Sequence, residues 1–140
     1  MKRILREDPG FVPCPVADGD ELFANGIFEF NITRLLKYIA GNPEDVELVE
    51  VSVRNFPIEF SSFEERHVES VDTSRPVVLA EIAPGHFNLI DGNHRMEKAR
   101  RLGITSIQAY RLSSEQHVRF LTCGKAYKSY IDYWNGKLRQ

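Results

Sequence analysis

The sequence predicts one α/β (α+β) domain, a small mixed sheet with flanking helices and a carboxy-terminal helix pair. Three observations carry that prediction. The 140 residues are 42% hydrophobic and 27% charged, the balance of a chain that buries a single core. Between residues 46 and 112, strand-like apolar runs alternate with one helical pattern. After residue 112 the apolar spacing turns helical and stays so.

Taken in order, residues 1–45 form an amino-terminal arm and helix. Pro9, Pro13 and Pro15 with Gly10 and Gly19 suppress helix up to Asp20, and Val12 and Val16 are expected to pin this arm to the body. Asn25-Gly26 is a turn dipeptide between Glu21–Phe23 and Ile27–Phe30, as in a hairpin. Asn31 or Thr33 can cap a helix through Ala40, with Leu35, Leu36 and Ile39 on its inner face and Gly41 and Pro43 stopping it.

The core spans 46–112. Val46 to Phe56 alternates as a strand with one break in register, and the polar stretch from Pro57 to Ser74 accommodates a short helix near Phe63–Ser70. Arg75 to Ile82 is a continuous apolar run, the pattern of a strand covered on both faces. Pro84-Gly85 turns the chain into a second strand, His86 to Ile90. A helix follows to about Leu102, with Met96, Ala99 and Leu102 inward and Gly103 as its left-handed stop. Ile104 to Leu112 is the last strand.

Residues 113–140 supply the closing helices. Ser113 with Gln116 matches a capping box opening a helix to about Cys123, which Gly124 interrupts. The last helix sets Tyr127, Tyr130, Ile131, Trp134 and Leu138 on one face. That spacing favours a face docked on the core, where Tyr and Trp bury their rings and keep their polar tips bonded. A reduced helix-turn-helix is the competing arrangement.

The formal net charge of −2 speaks against coating nucleic acid or an anionic membrane by charge alone. Residues 1–90 hold 8 Lys or Arg against 16 Asp or Glu, and residues 91–140 hold 10 against 4, giving −8 and +6. Such a gradient suits an anionic ligand, and equally two halves that attract each other. Cys14 and Cys123 show no metal-ligand spacing and are expected as reduced thiols, and His67, His86 and His117 have no paired ligand, so no metal is assigned to them. With no apolar run long enough to span a bilayer and no secretory-type start, a cytoplasmic location and no membrane contact are expected.

The segment that carries chemistry is Asp91-Gly92-Asn93-His94-Arg95. A glycine between strand and helix lets backbone approach a ligand, the first helical amides and the helix dipole attract an anion, and Arg95 adds a fork of donors suited to phosphate. The same residues also read as a plain turn, an N-cap at Asp91 and a solvated helix start.

The residues RPVVLAEI, HFNLIDGNHRMEKARRLGI and IQAYRL, from Arg75 to Leu112, resemble the ParB/sulfiredoxin superfamily, of the ParB N-terminal-like, Gly-x-His-Arg type. The resemblance covers roughly half of the chain and implies the same small mixed sheet. It implies that Gly92, Asn93, His94 and Arg95 contact nucleotide phosphates, with Thr73, Ser74 and Arg75 as a second ligand loop. It further implies a nucleoside triphosphate, ATP or CTP, and transferred phosphates call for Mg²⁺ to neutralise their charge. Asp91, His94 and Glu81 are then the candidates for catalytic groups, Asp91 to hold a metal or orient His94 and Glu81 to act as base.

Two departures narrow the roles. Asn93 stands where sulfiredoxins carry their cysteine, so sulfinic acid repair is not expected. ParB proteins of chromosome partitioning have glutamate and arginine at Asn93 and His94, and continue into DNA-binding helices for which the residues after Leu112 are too few. The expected function is nucleotide or phosphate binding, with an NTP-dependent phosphotransferase or hydrolase acting on a small-molecule acceptor as its enzymatic form. A nucleic-acid binder or nuclease, and a non-catalytic interaction module with a homodimer as its form, are the alternatives.

Overall fold

The structure, a computed structural model, describes residues 4–56 and 65–140. Four strands form the main sheet in the order β3-β6-β4-β5. They are β3 (Glu47–Ser52), β4 (Val77–Ala83), β5 (His86–Asp91) and β6 (Ser106–Leu112). β4 runs parallel to β6, while β3 pairs antiparallel with β6 and β5 antiparallel with β4. The sheet is therefore mixed. A separate hairpin joins β1 (Leu22–Asn25) to β2 (Phe28–Asn31), turning at Gly26 and Ile27.

β4 explains why its sequence has no period. It lies between two strands and under both covering layers, so all seven of its residues are buried, and both faces must be apolar or partnered. On one face Val77 and Leu79 pack with Ile107 and Ala109 against Met96 and Ala99 of α3 (Asn93–Arg101). On the other, Val78, Ala80 and Ile82 meet Phe28 and Phe30 of the hairpin, Leu35 of α1 (Ile32–Gly41) and Tyr130 and Trp134 of α5 (Gly124–Leu138). α1 starts where expected, the Asn31 side chain accepting from the Arg34 amide at 3.0 Å.

Several expectations need correction. Val12 is 76% exposed and Val16 50%; neither pins the arm. Its anchors are Phe11, stacked on Tyr127 at 3.9 Å, the Cys14 amide donating to Leu121 O, and Leu5, whose amide and carbonyl are both held by the Asn135 side chain. An extended, proline-rich strand of chain is fixed by backbone bonds and single ring contacts rather than by alternate residues. The strand from Val46 shortens to β3 because Val53–Asn55 tightens into a 3₁₀ turn. The helix near Phe63–Ser70 is present as α2 (Glu65–Ser70), and the remainder of that expectation, residues 63 and 64, lies outside the described residues. Leu102 is 62% exposed, because α3 ends at Arg101 and Gly103 (φ 75°) has already turned the chain.

The helix expected from Ser114 to Cys123 stops early. Its capping box forms, with the Ser113 amide donating to Gln116 Oε1 at 2.9 Å, yet α4 covers only Ser114–His117. Val118–Phe120 then forms a 3₁₀ turn, after which Leu121 bridges to Phe30 and the Thr122 amide donates to Glu29 O. Pairing with β2 outcompetes another helical turn. Gly124 does not interrupt a helix; it opens α5, whose Tyr127, Tyr130, Ile131 and Trp134 are buried as the docked face.

Candidate functional site

The β5–α3 turn is built around one backbone conformation. Gly92 has φ 101° and ψ 24°, a left-handed geometry that glycine adopts without steric cost. A Cβ placed there would lie 2.6 Å from Val77 Cγ1 and 2.8 Å from Arg95 Nη2. The turn is thus pressed onto the start of β4 and wrapped by the Arg95 side chain. α3 begins immediately, with the Met96 amide on Gly92 O at 2.9 Å. The helix's N-cap, Gly92, has no side chain to cap it and its first turn holds no acidic residue, while Lys98, Arg100 and Arg101 compensate its last turn. The dipole is thus matched by basic side chains at its carboxy-terminal end and by no acidic residue in its first turn.

Arg95 is 8% exposed. Its Nη2 meets Asp91 Oδ2 at 3.1 Å, and its Nε is buried with no hydrogen-bond partner. A guanidinium has five N–H donors in a fixed fork, so a buried Arg held by one carboxylate retains donor capacity. Asp91 accordingly orients Arg95, one residue to either side of the Gly92–His94 segment.

The second wall comes from the chain before β4. Lys98 Nζ donates to Glu69 O at 2.7 Å and to Val71 O at 2.9 Å, tying this stretch to α3. Asp72 Oδ1 accepts from the Ser74 hydroxyl at 2.6 Å and the Ser74 amide at 2.9 Å. Those bonds, the hydroxyl's first, hold the Asp72 carboxyl below its ordinary range. The Arg75 amide donates to Asp72 O at 3.2 Å. Between the walls lies a cleft of about 510 Å³ lined by Ser70, Val71, Asp72 and Arg75, by Asp91 to Arg95, and by Glu21 and Leu36.

The expected site residues divide as follows. Asp91, Gly92, Asn93, His94, Arg95 and Arg75 come together in this cleft. Thr73 and Ser74 are outside its lining, Ser74 being turned onto Asp72. Glu81 is elsewhere: β4 and β5 pair Val78 with Asp91 and Glu81 with Phe87, which puts Glu81 roughly 10 Å further along the strand. It faces a different cleft, of about 790 Å³, with Phe87, Arg111 and Glu115.

Comparison with protein-family models, curated proteins and solved structures gives no match. The assignment of the site rests on its chemistry.

Glu81 belongs to a buried polar node that the sequence does not announce. Its carbonyl accepts from His117 Nε2 at 2.7 Å and from the Tyr130 hydroxyl at 2.8 Å, and its carboxylate accepts from the Gly85 amide at 2.9 Å. The bond to a carbonyl makes Nε2 the protonated nitrogen of a neutral imidazole. Burial pushes His117 down to about 4, outweighing the opposing pull of Glu81.

The consequence for stability follows from linkage. A native pKa near 4 against an ordinary 6.5 means the unfolded chain binds the proton first as pH falls. Stability from this group is complete above pH 6.5 and is lost on acidification toward pH 4, by about 1.4 kcal/mol per pH unit and roughly 3 kcal/mol in all. Urea unfolding at pH 7.5, 6.0 and 5.0, followed by the fluorescence of buried Trp134, should show this slope, and His117→Gln should flatten it. A wild-type profile equal to that of the variant would mean that His117 ionises in the folded protein at its ordinary pKa.

Among the described residues, no three His, Cys, Asp or Glu side chains converge as a metal site, and no helix is long and apolar enough to cross a membrane. Cys14 is buried, Cys123 is exposed, and both are free thiols.

Proposed function

We propose that this protein is a nucleotide-binding protein of the ParB/sulfiredoxin-like kind, holding phosphate at Gly92–Arg95. The observation that carries this reading is Arg95, a nine-tenths buried guanidinium with an unpartnered Nε, set at a helix start whose N-cap is a glycine. A buried donor without a partner costs about 1–3 kcal/mol, a cost that an anion in the cleft removes. Arg75 faces the same cleft from the opposite wall and can engage a further phosphate.

In the enzymatic form of the reading, the chain's own residues position rather than react. Asp91 fixes Arg95, Arg95 and the α3 amides carry the phosphate charge, and His94 in the first turn is the group able to take or give a proton. Asp91 and Asp72 have the hard oxygens that Mg²⁺ prefers, but Arg95 and Ser74 already engage them. An Mg²⁺ ion would therefore be held chiefly by the phosphates it accompanies, neutralising their charge. The nucleic-acid alternative finds less support. α4 is a single turn, and Tyr127, Tyr130 and Trp134 of α5 are buried while Tyr133 alone among that helix's aromatics is exposed, so neither a recognition helix nor a row of stacking rings is presented there.

The test is a thermal-shift and calorimetric screen of ATP, CTP, GTP and ADP, with and without Mg²⁺. A ligand at about 100 times its Kd adds roughly 2.7 kcal/mol of stability, so a nucleoside triphosphate should raise the melting temperature by several degrees. No shift with any nucleotide or with tripolyphosphate would reduce the turn to a structural helix start.

A further inference from the structure

The cleft has a third wall, and it comes from outside the core that resembles the superfamily. Glu21 and Leu36 line it, Glu21 just before β1 and Leu36 on α1. The backbone of Glu21 is clamped at both ends, its amide donating to Thr33 Oγ1 at 2.7 Å and its carbonyl accepting from the Ile32 amide at 2.8 Å. The β1–β2 hairpin packs beside β5, which carries this clamped position to the mouth of the anion turn.

Glu21 adds an acidic residue to the lining that holds the proposed phosphate donors. Glu21, Asp72 and Asp91 line one cleft with Arg75 and Arg95, three carboxylates against two guanidiniums. A bare polyanion fits such a lining poorly, since like charges repel. A ligand with an anionic end for Arg95 and hydrogen-bond donors at its other end fits both walls, and Leu36 adds an apolar surface for a ring or carbon skeleton.

Resting on the phosphate-binding reading above, we infer that Glu21 is a specificity-determining residue. Its carboxylate accepts hydrogen bonds from the organic half of a phosphate ester, from hydroxyl or amino donors, and so selects nucleotides over inorganic polyphosphate. The amino-terminal hairpin and helix are then the specificity unit of the site.

Calorimetry on wild type and Glu21→Ala tests this, with ATP, CTP and tripolyphosphate as probes. Glu21 is exposed, and melting temperatures without ligand confirm that the variant folds. Wild type should bind ATP or CTP at least about 10-fold more tightly than tripolyphosphate, and Glu21→Ala should erase that preference, weakening the nucleotides as expected for the loss of one hydrogen bond to a charged group and, with one repelling carboxylate gone, leaving tripolyphosphate no weaker than in wild type. The 2′,3′-dideoxy triphosphates lose the preference if the sugar hydroxyls are the donors; ITP and UTP lose it if the exocyclic amine is. Equal nucleotide affinity in wild type and Glu21→Ala overturns the inference while the anion site stands. Failure of wild type to bind tripolyphosphate or any nucleotide removes the site, and this role of Glu21 with it.

Discussion

Arg95→Ala is expected to weaken nucleotide binding by about 100-fold or more, the largest functional effect of any single substitution in the cleft. Hydrogen bonds from a charged group are worth about 1.5–3 kcal/mol each, and once Asp91 has taken one Nη2 donor the guanidinium keeps further N–H donors for a phosphate. Two such bonds correspond to roughly 3 kcal/mol, or about two decades in Kd. The substitution also strands Asp91, whose side chain is 14% exposed, so some loss of stability accompanies it. Arg95→Lys separates the two effects: it keeps a cation near Asp91 but lacks the planar fork, and should bind roughly 10-fold less tightly than wild type while folding normally. Glu81→Gln, in the other cleft, serves as the control and should leave nucleotide affinity unchanged. If calorimetry gave wild-type affinity for Arg95→Ala, the phosphate would have to be held elsewhere.

The difference between Arg95 and Glu81 shows what was legible in the sequence. Arg95 could be placed because the turn, the helix start and the glycine are all local, so three adjacent residues fix where its side chain begins. Glu81, expected as a base, lies on the neighbouring strand, but which of that strand's residues reach the site is a matter of strand register. Counting outward from the Pro84-Gly85 turn sets Asp91 opposite Val78 and sends Glu81 toward the hairpin end, as the observed pairing does. Burial on both faces of β4 was legible too, because only a doubly covered strand tolerates an unbroken apolar run. By contrast, Glu97 and His117 sit at 2% and 0% exposure. Their burial depends on Arg100 and Arg101 for the one and on the Glu81 carbonyl for the other. A polar residue with distant or same-face partners carries no periodic signal of its own. Glu21 escaped notice for the same reason: it is some seventy residues from the turn it faces, and only the packing of the hairpin beside β5 brings the two together.

Gly92→Ala should produce the largest loss of stability among substitutions in the turn, about 2–5 kcal/mol in urea unfolding. Two independent terms add. A left-handed residue with a Cβ costs roughly 1–2 kcal/mol, and forcing a methyl into filled space costs roughly 1–3 kcal/mol. Here that methyl would sit 2.6 Å from Val77 Cγ1 and 2.9 Å from Val77 Cβ, and Val77 is fully buried in β4, held between Leu79, Met96 and Ala109, so it has nowhere to go. Gly85 provides the matched comparison. It also has a positive φ, 75°, but a Cβ there meets nothing within 4 Å, so Gly85→Ala should show the conformational term alone, about 1–2 kcal/mol. The difference between the two variants measures how tightly the β5–α3 turn is pressed onto β4. The same methyl would stand 2.8 Å from Arg95 Nη2 and displace the guanidinium, so Gly92→Ala should lose nucleotide affinity at temperatures where it remains folded. Equal destabilisation by the two variants, with binding intact in Gly92→Ala, would mean that the turn relaxes away from β4 and that close packing beneath it does not shape the phosphate site.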